Sequence, residues 1–304
     1  MRPGGNRAIA EPASQDACSI SGEMHSDLNP FFLLRYFSFD TTIMFYHRRW
    51  ESSGVAESEI VEFTKRIEGS TGYALYDEIS HLQRSFDILS QNYAELETIL
   101  KSLSQEKAAL ALYKGPRAKT NFLWLQIHRV LQNYLAAVNA LMDHLNRFMQ
   151  KEKHVEFKSE YETRIKVIRK STTGTFVKDL RDYFLHYDVG PVCVVVTWEG
   201  VDGPSKASID FDCQGLLKWQ GWTSPSRTYL KELKDMRKPL VILDLLGKYQ
   251  RSIEELNVWI LPELQRVHQQ ELKEYSDAAK EFARLNREVM AQAEKQLMKG
   301  IRPP

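Results

Sequence analysis

Residues 75–100 read LYDEISHLQRSFDILSQNYAELETIL. Within them Leu75, Ile79, Leu82, Phe86, Leu89, Tyr93, Leu96 and Leu100 return every three or four residues. That is the spacing of one face of an α-helix. No glycine or proline interrupts the run, and the pattern continues to about Tyr113 before Gly115 and Pro116 break it. A second stripe follows at once: Leu123, Ile127, Val130, Tyr134, Val138, Leu141, Leu145 and Phe148. Trp124, Leu131, Leu135 and Met142 widen it, so this helix should lie between neighbours and end near Glu152. Two long adjacent helices of this kind predict a mainly α protein, an elongated helical bundle.

Outward from this pair the chain keeps the same character, with one interruption. On the N-terminal side a short helix fits residues 57–67. Before it lies an aromatic-rich stretch over 31–46, ending near Trp50, and a tail over 1–29 rich in Gly, Pro, Ser and Asp, expected to be disordered. On the C-terminal side helices fit 156–169 and 175–187, with Ser171 to Gly174 as a break and cap. Val177, Leu180, Phe184 and Tyr187 make the apolar face of the second, and Gly190-Pro191 ends it.

The run VCVVVTW (192–198) is β-branched and continuous, and residues 199–205 hold turn formers. Ala207, Ile209, Phe211 and Cys213 then alternate with Ser208, Asp210 and Asp212, a half-exposed strand. Together they predict one inserted β-hairpin at about 192–213. A lone hairpin is marginal, so it must lie on the helices or gain a strand, and Trp219 and Trp222 are candidates to cover it. Beyond it, Pro239 suits the first turn of a helix over 240–250, and Pro262 marks a kink or a new start. A long amphipathic helix then runs through Leu264, Leu272, Tyr275, Phe282, Leu285 and Leu297. The expected organisation is a single domain over 30–304 after the tail.

Composition narrows the function. Among 304 residues, 41 basic and 40 acidic side chains leave a formal net charge of +1. A strongly basic nucleic-acid-binding domain is excluded, so any phosphate-binding surface must be local. Cys18, Cys193 and Cys213 are too few and too scattered for a disulfide framework or zinc ribbon. Cys193 and Cys213 could face each other across the hairpin, as buried thiols or as a pair. No secretory signal or membrane span is evident, and a cytoplasmic location is expected. Nucleotide loops, HExxH and GxSxG are missing. No cofactor is expected, nor a metal bound by neighbouring residues. Asp210 and Asp212 could share an ion, but as alternate strand residues they more simply form its solvent face.

The chemistry-bearing feature is Arg181-Asp182-Tyr183-Phe184-Leu185-His186. On a helix, five residues rotate the chain by about 140° and advance it by about 7.5 Å. Arg181 can swing toward His186, and Asp182 lies one turn before the histidine. An imidazole can move a proton at a ribose 2′-hydroxyl or a leaving oxygen. A guanidinium offers paired donors to a phosphate. The spacing alone is weak: 20 arginines and eight histidines give about 1.6 chance matches, and Arg147 with His154 supplies a second one. Lys166, Arg169, Lys170 and Lys178 lead into the motif as a local basic patch.

Over residues 177–192, with LRDYFLH followed by Gly190-Pro191, the chain resembles the HEPN superfamily of all-helical proteins, whose signature is R-x(4–6)-H with a polar residue after the arginine. It also resembles a recurring LRNY…H segment of bacterial proteins. The resemblance implies a metal-independent endoribonuclease that leaves a 2′,3′-cyclic phosphate and a 5′-hydroxyl. It implies a homodimer with a composite cleft, and roles in toxin or phage-defence systems, with an antitoxin as a possible protein partner. By matched position Arg181 would hold the scissile phosphate, His186 would act as general base or acid, and Asp182 would support both. The chain departs from the compact family domain in its length and in the hairpin after the motif. The alternative is a non-catalytic helical interaction protein in which the motif is structural and the 31–46 segment or the C-terminal helix binds a partner.

Overall fold

The computed structural model describes residues 57–105, 108, 116–198 and 205–300. The expected tail, the aromatic segment, the tip of the hairpin and Cys18 lie outside the described residues. The elements in chain order are α1 (Glu57–Glu68), α2 (Thr71–Leu103), α3 (Arg117–Lys151), α4 (Val155–Lys170), α5 (Thr172–His186), β1 (Val192–Trp198), β2 (Ser205–Phe211), α6 (Cys213–Leu216), α7 (Ser224–Asp235), β3 (Leu240–Val241), α8 (Ile242–Val267) and α9 (Gln269–Gly300). The fold is mainly α.

α2 and α3 form an antiparallel helical hairpin. Their partners descend along one helix as they climb the other: Glu78 with Lys151, Ser85 with His144, Glu95 with Arg129. The stripes predicted for both helices are the core, with Leu89, Leu96, Ile127, Leu141 and Leu145 fully buried. Burying each such side chain contributes about 1.5–3 kcal/mol. α8 packs against α2, α4 and α5. Its Trp259 stacks on Phe157 and lies under the Arg164 guanidinium, and Gln250 accepts from the buried Tyr134 hydroxyl. α9 returns to the first helices: Tyr275 stacks on Tyr76 at 4.8 Å, and Phe282 on Phe63. The approach is close because Gly72 lacks a side chain. A Cβ there would sit 2.4 Å from the Glu271 carbonyl oxygen.

The hairpin gains its third strand. β1 pairs antiparallel with β2, and β3 adds on the other side through Asp210–Val241 and Phe211–Leu240. Leu240 and Val241 are therefore strand, and the helix expected from 240 begins at Ile242. That helix also runs through Pro262 to Val267. Pro262 removes a bond to the carbonyl of Val258, which is 75% exposed, so water can satisfy the freed oxygen.

One side-chain expectation is corrected. Asp210 is not on a solvent face: it is 2% exposed, because β3 pairs beside it and leads directly into α8. Burial, then the nearby Asp244 carboxylate, push its carboxyl up, with the Ser208 hydroxyl opposing. Asp212 is exposed and caps α6 by accepting from the Gln214 N–H, so the two do not form a pair. Trp219 and Trp222 pack on α5. Trp222 stacks on Phe176 and on Tyr183, and Trp219 meets Tyr183 edge-on. Cys193 and Cys213 are free thiols, pushed up by burial and by neighbouring aspartates.

Candidate functional site

The motif helix α5 begins with Ser171, whose hydroxyl accepts from the Gly174 N–H as predicted. Its inner face is fixed by Phe176, Val177, Leu180, Tyr183 and Phe184, all buried. Tyr187, assigned to that face from the sequence, is 51% exposed because the helix has ended one residue earlier. Buried Asp179 accepts from the N–H and hydroxyl of Thr223 and so ties α5 to the start of α7. Gly190, with φ of 86°, turns the chain toward β1, and its carbonyl meets the His128 ring at 2.9 Å.

At about 100° per residue, what remains outward on α5 is one arc: Lys178, Arg181, Asp182, Leu185 and His186. Arg181 and Asp182 are brought together, Nη2 donating to Oδ1 at 2.6 Å, with both side chains about a quarter exposed. The other guanidinium arm donates to Asn139 of α3, while Nε is buried without a partner. His186 stands apart: it is exposed at the C-terminal end of α5, and among the described residues it makes no hydrogen bond or ion pair. Lys166, Lys170 and Lys178 are exposed, and Arg169 is exposed while donating to Asn146. The outer end of the helix is also apolar, with Leu185, Tyr187 and Val189 each more than half exposed.

A second group of titratable residues was not visible in local spacing. Glu152 caps the C-terminus of α3, His154 the N-terminus of α4, and His268 the break between α8 and α9. The three meet. Glu152 Oε1 accepts from the His154 backbone N–H at 2.7 Å and from its Nδ1 at 2.8 Å, and Oε2 accepts from His268 Nε2 at 2.9 Å. The two rings lie edge to face at 4.5 Å. Burial alone would raise the Glu152 carboxyl, but the backbone donor and the two imidazoles outweigh it and bring it down to about 2. The available sequence signal was the Glu-x-His step across a helix end. Its third member is more than a hundred residues away.

An open groove of about 360 Å³ lies between α2 and α3, lined by Glu78, His81, His144, Arg147 and Lys151 among others. Most of its polar groups engage neighbours. His81 faces Asp77, Lys151 pairs with Glu78, and His144 Nδ1 meets the Ser85 hydroxyl at 2.6 Å. Burial, then the Arg147 and His81 charges, lower the His144 pKa.

Comparison with protein-family profiles, with curated proteins and with solved structures gives no match to this chain. Among the described residues no helix is long and apolar enough to cross a membrane.

Proposed function

We propose that the chain is a HEPN-type endoribonuclease, with Arg181 as the phosphate-binding cation and His186 as the general base or acid. The observation that supports this reading is the outward arc of α5. It carries Lys178, Arg181, Asp182 and His186 on the open side of a helix whose inner side is locked in the core. An exposed imidazole with no partner among the described residues is open to exchange a proton with substrate. The Arg181 guanidinium is pre-oriented by Asp182 and Asn139 and remains partly open. Exposed Lys166, Lys170 and Lys178 add charge that attracts a polyanion. No ion takes part in this chemistry. Leu185, Tyr187 and Val189 around the histidine suit a second copy of the chain, which would complete a composite cleft.

Incubation of purified protein with total RNA in EDTA tests the reading. Cleavage with cyclic-phosphate ends, lost in His186→Ala and in Arg181→Ala while the circular dichroism spectrum is kept, is expected. Equal cleavage by wild type and His186→Ala removes it.

The second reading is a helical interaction protein. The link from Arg181 to Asn139 favours it, since that bond joins α5 to α3 as an ordinary structural contact. On that reading the wild type cleaves no RNA, and Arg181→Ala lowers the melting temperature.

A further inference from the structure

The geometry points to a binding site for one zinc-class divalent cation at Glu152, His154 and His268. Two imidazoles and a carboxylate are a donor set for borderline metals of the zinc type, unlike the all-oxygen sets of magnesium and calcium. The three ligand atoms lie within 4.8 Å of one another. The direct contacts are 2.8 and 2.9 Å, and a tetrahedral ion with bonds of about 2.0–2.1 Å spaces its ligands by about 3.3 Å. The two histidine nitrogens, within 4.8 Å of each other, would close by up to about 1.5 Å around the ion, a movement open to the partly exposed His154 ring.

The surroundings match what a bound ion requires. The Glu152 side chain is 1% exposed and His268 11%, so two ligands are held rigidly, while His154 is 41% exposed and leaves an entrance. Binding would exchange two N–H···O contacts for two N–metal bonds. Each ring then carries its proton on its other nitrogen. For His268 that is Nδ1, which faces the Glu271 carboxylate at 3.9 Å. A ligating histidine ordinarily donates its second N–H to such a group. For His154 it is Nε2. A divalent ion with Glu152 and Glu271 is charge-balanced locally. Three protein ligands leave the fourth position of a tetrahedral ion for water. The ligands come from the α3–α4 and α8–α9 breaks, so the ion would fasten two chain corners to each other.

Full-length protein stripped with EDTA and dialysed free of it is titrated with Zn²⁺ by calorimetry, with Mg²⁺ as a control. One saturable site and a higher melting temperature are expected, with no response to Mg²⁺. His154→Ala, a partly exposed position, should lose the site and remain folded. Glu271→Gln should weaken binding by about 10–100-fold, the usual effect of removing a histidine's outer partner. No saturable Zn²⁺ binding by the wild type, or equal binding by His154→Ala, overturns the site.

Discussion

Among the described residues two histidines stand at helix C-termini, and their circumstances are opposite. His186 closes α5 exposed and, among the described residues, without a hydrogen-bond or ion-pair partner, beside an arginine and an aspartate that hold each other. His268 closes α8 nearly buried, bonded to Glu152, whose carboxylate it shares with His154. The first is free to act on something outside the protein; the second already has its partners within. Sequence motifs select the first kind because they record spacing along the chain. The second kind is produced by packing and is seen only in three dimensions.

The contrast predicts a graded series of effects. The largest belongs to His268→Ala, which leaves an oxygen of a buried carboxylate without its donor. A loss of about 1–3 kcal/mol of folding stability is expected in urea denaturation, and an unchanged midpoint would mean that the cluster holds nothing together. Next is its acid response. The Glu152 carboxyl, at about 2, lies below the ordinary 4.5, so its contribution is complete above 4.5 and is lost as pH falls toward 2. Between those values Glu152→Gln should be less pH-sensitive than the wild type, and parallel curves would contradict this. At the other end of the comparison, Asn139→Ala removes the contact from α3 to Arg181, and about 1 kcal/mol should be lost. The smallest change is for His186→Ala. Its stability should stay within about 0.5 kcal/mol of wild type, so any loss of RNA cleavage reads as chemistry. A larger loss would put His186 with His268 as a structural residue.

The helical part of the fold was legible because burial repeats with the helix period. The stripes of α2 and α3 and the cap at Ser171 stand where the residues indicated. What escaped was decided by partners distant in sequence. Two residues after Pro239 joined a sheet, since β2 offered them unpaired backbone groups. Asp210 is buried by that same strand, although alternation alone placed it outside. Nothing in the spacing announced that Trp219 and Trp222 would pack on the Tyr183 ring of α5. In the motif, of the two partners open to it, Asp182 holds the Arg181 guanidinium and not the His186 ring, and nothing in the sequence announced Asn139. The meeting of Glu152 with His268 likewise depends on how α3 and α8 cross the molecule.

The return of α9 onto α1 and α2 sets an order of events during folding. The α2–α3 hairpin closes over a short connection and can form early. Tyr275 must find Tyr76, and Phe282 must find Phe63, across about two hundred residues of intervening chain. Closing so long a loop is entropically slow, and contacts of this separation form late. During synthesis the rings of Phe63 and Tyr76 would lack their α9 partners, Phe282 and Tyr275, until that helix emerges. For that interval the nascent protein carries a greasy flank, which makes α9 the closing latch of its maturation.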